Sequence, residues 1–163
     1  MSQENVEIVR QFNAPLEGKD AIPDIRAGLE RTGPDFAPDI VLAEWARDPA
    51  WRHAHHEIEM DVSAIGGIVE PAIGPREVML FWADWSQAWE SYVYRILEYR
   101  DLGDHVLTRV HIQARGPGGI PVEMRLFQVW EIRDGKVWRM RAFFSEQEAL
   151  AAVGLSEQDS RPR

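Results

Sequence analysis

The 163-residue sequence contains no cysteine, which removes disulfides, iron–sulfur clusters and thiol nucleophiles together. It has no apolar run near the ~20 residues that a membrane-spanning helix needs. Basic residues are in deficit: 18 Lys and Arg stand against 27 Asp and Glu, a net charge of −9. That field repels a phosphate backbone and an anionic lipid surface alike, so neither nucleic acid nor a membrane is an expected partner. The opening Met1-Ser2-Gln3-Glu4-Asn5 lacks a basic and apolar leader, so no secretory signal and a cytoplasmic location are expected. Internal repeats and low-complexity linkers are also missing.

What is present describes one ordinary globular domain. Apolar residues make up 45% and charged residues 28%, enough for a core and too little chain for two. The expected domain covers residues 1–155, with 156–163 a polar tail. Seven tryptophans are many for this length; each brings a large apolar surface and one N–H that needs a partner, which suits a large core, a ligand pocket or an interface.

Hydrophobic spacing places helices first and strands last. Ser2 is an N-cap candidate, and Val6, Val9 and Phe12 share one helical face. Asp20 caps a second helix with Pro23 in its first turn and Ile22, Ile25 and Leu29 as its stripe. A third helix is expected from Phe36 to about Trp45. Residues 47–57 read as irregular, residues 58–64 as a strand, and Gly66, Gly67, Pro71, Gly74 and Pro75 as a loop. Val78, Trp82, Trp85, Trp89 and Tyr92 step by four and three, predicting one helix from Pro75 to Tyr92. Four strands follow at about 92–100, 106–114, 122–132 and 137–144, with Asp134-Gly135 as a tight hairpin turn. Ser145 caps a final helix that Gly154 closes. The order predicts an α+β fold, with helices on one side of a curved antiparallel sheet.

The opening SQENVEIVRQF, the Gly74-Pro75-Arg76-Glu77 entry to the Trp helix, and the closing VEMRLFQVWEIRDGKVWRMRAFFSEQEALAAVGL resemble the NTF2-like superfamily, and within it the SnoaL-like group. The resemblance covers most of residues 2–155 and is weakest over 33–57. It implies a cone whose helices and concave sheet face enclose a pocket, and whose outer sheet face pairs two subunits. It does not settle the chemistry, because this scaffold serves isomerases, polyketide cyclases, dehydratases, epoxide hydrolases and binding modules.

Within that resemblance, a ketosteroid-isomerase arrangement puts the carboxylate base at Asp61. Its oxyanion-hole tyrosine falls on Phe12, which has no hydroxyl, and its protonated Asp on Gln128, a neutral donor. A limonene-epoxide-hydrolase arrangement keeps Arg109 but replaces its two carboxylates with His111 and Ala142, leaving Arg109 and His111 to polarise a carbonyl or orient a water. SnoaL-type cyclisation is an aldol closure by acid–base catalysis with an Asp; no motif here marks which residue would correspond, and that reading stays open.

Strand alternation extends the set. With Gln128 facing the pocket, Val122, Met124, Leu126 and Trp130 face it too. Arg109, His111 and Gln113 are expected beside them on one neighbouring strand, and Trp138, Met140 and Ala142 on the other. The expected catalytic residues are therefore Asp61, His111 and Arg109, and the expected substrate-binding residues Phe12, Trp82, Met124, Leu126, Gln128, Trp130 and Met140. The opposite face, with Glu123, Arg125, Phe127, Val129 and Glu131 beside Arg139, Arg141 and Phe143, suits a homodimer interface.

Each of these residues also has a plain structural reading: Asp61 as a turn cap, His111 as a hydrogen-bonded core histidine, the Trp face as core. His53, His55, His56 and Glu57 lack metal-motif spacing and read as a solvated surface, so no metal or other cofactor is expected. The functional expectation is a protein that binds a hydrophobic small molecule. Its enzymatic form is a cofactor-independent isomerase, cyclase or lyase acting on a carbonyl compound. The alternatives are a non-catalytic binding or dimerisation module and a protein-interaction adaptor.

Overall fold

A computed structural model describes residues 2–66 and 70–159. The side chain of Ser2, Gly67 of the expected loop and residues 160–163 of the expected tail lie outside the described set.

Three helices open the chain: α1 (Ser2–Asn13), α2 (Ile22–Thr32) and α3 (Pro38–Trp45). A 3-10 turn at Trp51–His53 leads into β1 (Ala54–Asp61). Another at Ser63–Ile65 precedes the two-residue β2 (Ala72–Ile73). Helix α4 (Gly74–Gln87) is followed by β3 (Ser91–Asp101), β4 (His105–Arg115), β5 (Pro121–Arg133), β6 (Lys136–Phe143) and α5 (Glu146–Ala152). The six strands form one sheet in the order β2-β1-β6-β5-β4-β3. All neighbours are antiparallel except β1 and β6, which run parallel.

Helices α1 to α4 cover one face of this sheet. Val9 of α1, Val41 and Trp45 of α3, and Val78 and Met79 of α4 are buried against Ile58, Met60, Val106, Trp130, Val137, Met140 and Ala142. Asp20 does not cap α2 from the N-cap position, which is Ala21. Its carboxylate accepts the N–H of Ile22 at 3.1 Å and that of Tyr92 at 3.0 Å, tying the start of α2 to β3.

Four expectations need correction. The helices are not all on one side: α5 packs on the outer face, where Ala149 and Leu150 bury against Leu107 and Val129. The Trp helix ends at Gln87, so Trp89 and Tyr92 reach Trp85 from a turn and a strand. Strand β1 begins four residues earlier than expected and ends at Asp61. Its pairing with β6 slips between Ala54 and Glu59, and this irregularity breaks the alternation that would have marked a strand. On β6, Val137 pairs with Ile132 and Arg139 with Glu131, leaving Trp138 as an extra residue. Val137 fills the core in its place, and Trp138 instead stacks under the Arg133 guanidinium at 3.6 Å.

The β5–β6 hairpin follows its sequence. Asp134 and Gly135 both have positive φ, 54° and 72°, the pair of left-handed residues that a two-residue hairpin with the right twist requires. Ser145 caps α5 by accepting the N–H of Glu148 at 3.1 Å.

Leu150 is fully buried between α5 and the outer sheet face. Leu150→Ala is expected to lower the unfolding free energy by about 2–5 kcal/mol in denaturant titration. A change within error would mean that α5 does not dock on the sheet.

Candidate functional site

Between the inner sheet face and helices α1, α2 and α4 lies a cavity of about 120 Å³. Phe12, Asn13 and Leu16 line it from α1 and the turn after it, and Phe81, Trp82 and Trp85 from α4. Tyr92 and Tyr94 of β3, Val110 and Ile112 of β4, Leu126, Gln128 and Trp130 of β5, Met60 of β1, and Met140 and Ala142 of β6 form its floor. The rings meet edge to face: Phe12 lies 5.8 Å from Trp130 and 5.4 Å from Trp51, and Trp82 lies 4.8 Å from Trp85. This geometry suits the aromatic quadrupole and holds the walls rigid.

Next to the cavity, a more open crevice of about 280 Å³ runs between α2, α3 and the loop to Trp51. The two share Leu16, Ile25, Ala50, Trp51 and Trp82. The crevice carries ion pairs, Lys19 with Asp24 at 2.6 Å and Arg31 with Glu44 at 2.8 Å. Among the described residues, no Asp, Glu, His, Lys or Arg lines the inner cavity.

Polar groups around the cavity form two short chains, while Trp82 Nε1–H on its wall is buried without a partner among the described residues. Trp130 Nε1–H donates to Thr108 Oγ1 at 2.9 Å, and the Thr108 hydroxyl donates to Gln128 Oε1 at 3.1 Å. Tyr94 donates to Asn13 Oδ1 at 3.2 Å, and Asn13 Nδ2 donates to the Val9 carbonyl at 2.9 Å. Burial pushes both cavity phenols far above their ordinary pKa; Glu17 and the neighbouring tyrosines raise Tyr94 further. Both are therefore neutral at any physiological pH.

Of the residues singled out by sequence, Phe12, Trp82, Leu126, Gln128, Trp130 and Met140 come together here. Met124 lies on the same sheet face but beyond the cavity, packed in the cluster of Ile22, Tyr92 and Ile112. The three candidates for catalysis do not reach the cavity. Strand β4 pairs with β5 so that Thr108 faces Gln128 and Val110 faces Leu126, whereas Arg109 pairs with Phe127 and His111 with Arg125. Paired residues share a face, so Arg109, His111 and Gln113 lie on the outer side. There His111 binds Glu123 at 2.7 Å and Arg109 lies 3.6 Å from Glu98.

Asp61 pairs with Arg141, again on the outer side. Its Oδ1 accepts the Ser63 N–H at 3.0 Å and the Ser63 hydroxyl at 2.6 Å, closing the 3-10 turn that follows. The plain reading of Asp61 as a turn cap is the observed one.

The histidine cluster is more ordered than a solvated surface. His55 is 3% exposed, and its ring stacks on His56 at 4.3 Å. Metal-ligand atoms of His55, His56 and Glu57 lie within 4.8 Å of one another. Yet His55 Nδ1 accepts the Glu57 backbone N–H at 3.0 Å, placing the ring proton on Nε2, 3.2 Å from Asp134. A metal on Nε2 would move that proton to Nδ1, against the Glu57 N–H, so the arrangement opposes metal binding.

Sequence reading missed Trp51, Trp85, Tyr94 and Thr108 as site residues. Trp51 lay in the segment read as irregular. Thr108 was readable from the run Val106, Thr108, Val110, Ile112, Ala114, the apolar side of β4.

A family model for the SnoaL-like domain matches residues 26–140; the chain belongs to that family, and its fold is the NTF2-like cone. Among solved structures, TerC co-crystallised with polyporic acid is 22% identical over 67% of this chain and 92% of its own, with a TM-score of 0.54. An NTF2-like protein from Burkholderia xenovorans LB400 is 18% identical over 93% and 96%, with a TM-score of 0.54. An LEH-like epoxide hydrolase of M. tuberculosis is 17% identical over 92% of this chain and 89% of its own, with a TM-score of 0.55. At these identities the likeness is one of fold. No curated protein matches the chain by sequence. Among the described residues, no helix is long and apolar enough to cross a membrane.

The phenols give a pH prediction with a definite sign. A tyrosine whose pKa is raised by folding stabilises the fold below its unfolded value of about 10, and withdraws that contribution as pH climbs further. Unfolding free energy is expected to fall above about pH 10, and to fall less steeply in Tyr94→Phe. Denaturant titrations at stepped pH measure both slopes; identical slopes would remove Tyr94 from the effect.

Proposed function

We propose that the protein binds a small hydrophobic molecule in the aromatic cavity and does not act on it by acid–base catalysis. The observation that carries this reading is the cavity lining: rings, aliphatic groups, two neutral phenols and amides, with no carboxylate or imidazole among the described residues. A general base must lie within hydrogen-bond reach of the proton it takes and titrate near the working pH. Asp61, His111 and Arg109 fail the first requirement, because the sheet stands between them and the cavity. The isomerase, cyclase or lyase reading is therefore the weaker one, and the non-catalytic ligand-binding reading the stronger.

The cavity's size sets the ligand's scale. About 120 Å³ is comparable to the ~150 Å³ apolar cavity that takes up benzene. A single ring with a short substituent fits; a larger molecule would extend past Trp51 and Trp82 into the neighbouring crevice. We further propose a homodimer through the outer sheet face. This reading draws on the strip left by α5, where half-exposed pairs such as His111–Glu123 stand beside Phe127.

Titration with α-methylstyrene, followed by tryptophan fluorescence, tests the binding reading. Ala142→Phe fills the cavity and should weaken binding by about tenfold or more, on the ~1–3 kcal/mol scale of overpacking. Asp61→Asn and His111→Ala should leave binding unchanged. Affinity should be level from about pH 6 to pH 9, where a histidine or a carboxylate tuned for catalysis would titrate. A sharp loss in Asp61→Asn, or a pH midpoint in that window, would reinstate the acid–base reading.

A further inference from the structure

We infer that Thr108 and Trp130 lock the Gln128 carboxamide so that its NH₂ faces the cavity, making this a site for a ligand with a hydrogen-bond acceptor. The class is a small aromatic or apolar molecule carrying a carbonyl or similar acceptor oxygen. This inference rests on the binding function proposed above.

An indole N–H donates and cannot accept. Trp130 is 2% exposed, and its Nε1 lies 2.9 Å from Thr108 Oγ1. Thr108 must therefore accept from it. Thr108 has no exposed surface, so its own hydroxyl proton needs a protein acceptor. Gln128 Oε1, at 3.1 Å, is that acceptor. A flipped carboxamide could donate to the second lone pair of the hydroxyl, but it would leave the hydroxyl proton buried without an acceptor. Such an orphan bears the desolvation of the hydroxyl with nothing in return. Donation thus runs one way, from Trp130 through Thr108 to the Gln128 oxygen.

The amide nitrogen is what remains. Among the described residues it has no hydrogen-bond partner, and it is not one of the enclosed polar atoms lacking one, so it keeps open surface. Gln128 lines the cavity, and that surface is presented there. The Tyr92 hydroxyl, also on the wall, can donate or accept and so sets no preference. Tyr94 already donates to Asn13. Trp82, also on the wall, holds a buried Nε1–H without a partner among the described residues, a second donor that likewise favours an acceptor; Gln128 is the donor whose direction a neighbour fixes, and that neighbour is Thr108, a positioning residue.

Three probes of one size test this: acetophenone, which carries an acceptor; α-methylstyrene, its isostere with CH₂ in place of the carbonyl oxygen; and indole, whose N–H only donates. Dissociation constants for wild type, Gln128→Leu, Thr108→Val and Thr108→Ser are compared as ratios, so that general loosening cancels. The preference for acetophenone over α-methylstyrene should drop about three- to tenfold in Gln128→Leu, the scale of one hydrogen bond. Thr108→Val keeps the volume but frees the carboxamide. The preference for acetophenone over indole should then shrink, while Thr108→Ser retains it. Equal ratios in wild type and Gln128→Leu, with α-methylstyrene still bound, would overturn the polarity assignment and spare the binding function. If all probe affinities change together in Thr108→Val, Thr108 is structural only and the relay fails. If no probe binds wild type, the binding function and this inference fall together.

Discussion

The pairing of β4 with β5 is the constraint on which the site depends. Val110 opposite Leu126 and Thr108 opposite Gln128 put every even-numbered residue of both strands beneath the helices. Because side chains alternate with a period of two, a slip of one residue would exchange the whole set. The helix-covered side would then receive Arg109 and His111, and lose Val110 and Ile112 to water. Burying an unpaired guanidinium there costs several kcal/mol, so the slip is forbidden by the same apolar lining that makes the cavity. On the outer side, charge is cheap: Glu131 gathers His105 at 2.7 Å and Arg139 at 3.4 Å, and Arg139 reaches Glu59 at 2.8 Å. One partition of apolar and charged residues thus defines the core, the cavity and the outer surface.

This partition also explains what could be read in advance. The helices and strands of the second half were legible because their periodicities are long and unbroken, and Asp134-Gly135 is a strong local turn signal. On β5, alternation was enough to bring Leu126, Gln128 and Trp130 to one face. On β4 the same alternation was present, with valines, Thr108, Ile112 and Ala114 on one side and Arg109, His111 and Gln113 on the other. The resemblance to enzymes that keep an arginine on this strand pointed the polar side inward, and the hydrophobic pattern was the better guide. Local irregularity hid the rest. The slip at the start of β1 and the extra residue at Trp138 are determined by parallel packing against β6 and by core filling at Val137. Neither has a signature within a few residues of sequence. Trp51 was missed for a related reason: it lines the cavity from a short 3-10 turn, held by Asp48 accepting the N–H groups of Ala50 and Trp51 at 2.8 and 3.0 Å.

The chemistry open to the cavity follows from which protons it holds. Donors aimed at a ligand oxygen are worth about 10²–10³ in rate where charge develops on that oxygen. They act only when another group takes or gives the proton that creates the charge. Here the candidate donors are the Gln128 amide, the Tyr92 hydroxyl and the unpartnered Trp82 indole N–H, and the phenols are held neutral by burial. A carboxylate moved into the cavity would change this. Gln128 is the position where it would do most, since Thr108 already donates to Oε1 and the apolar walls would raise the acid's pKa toward the working range. The protein thus stands one side chain away from an acid–base site. That it presents an amide there, with its oxygen occupied, is the feature on which the proposed recognition of an acceptor rests.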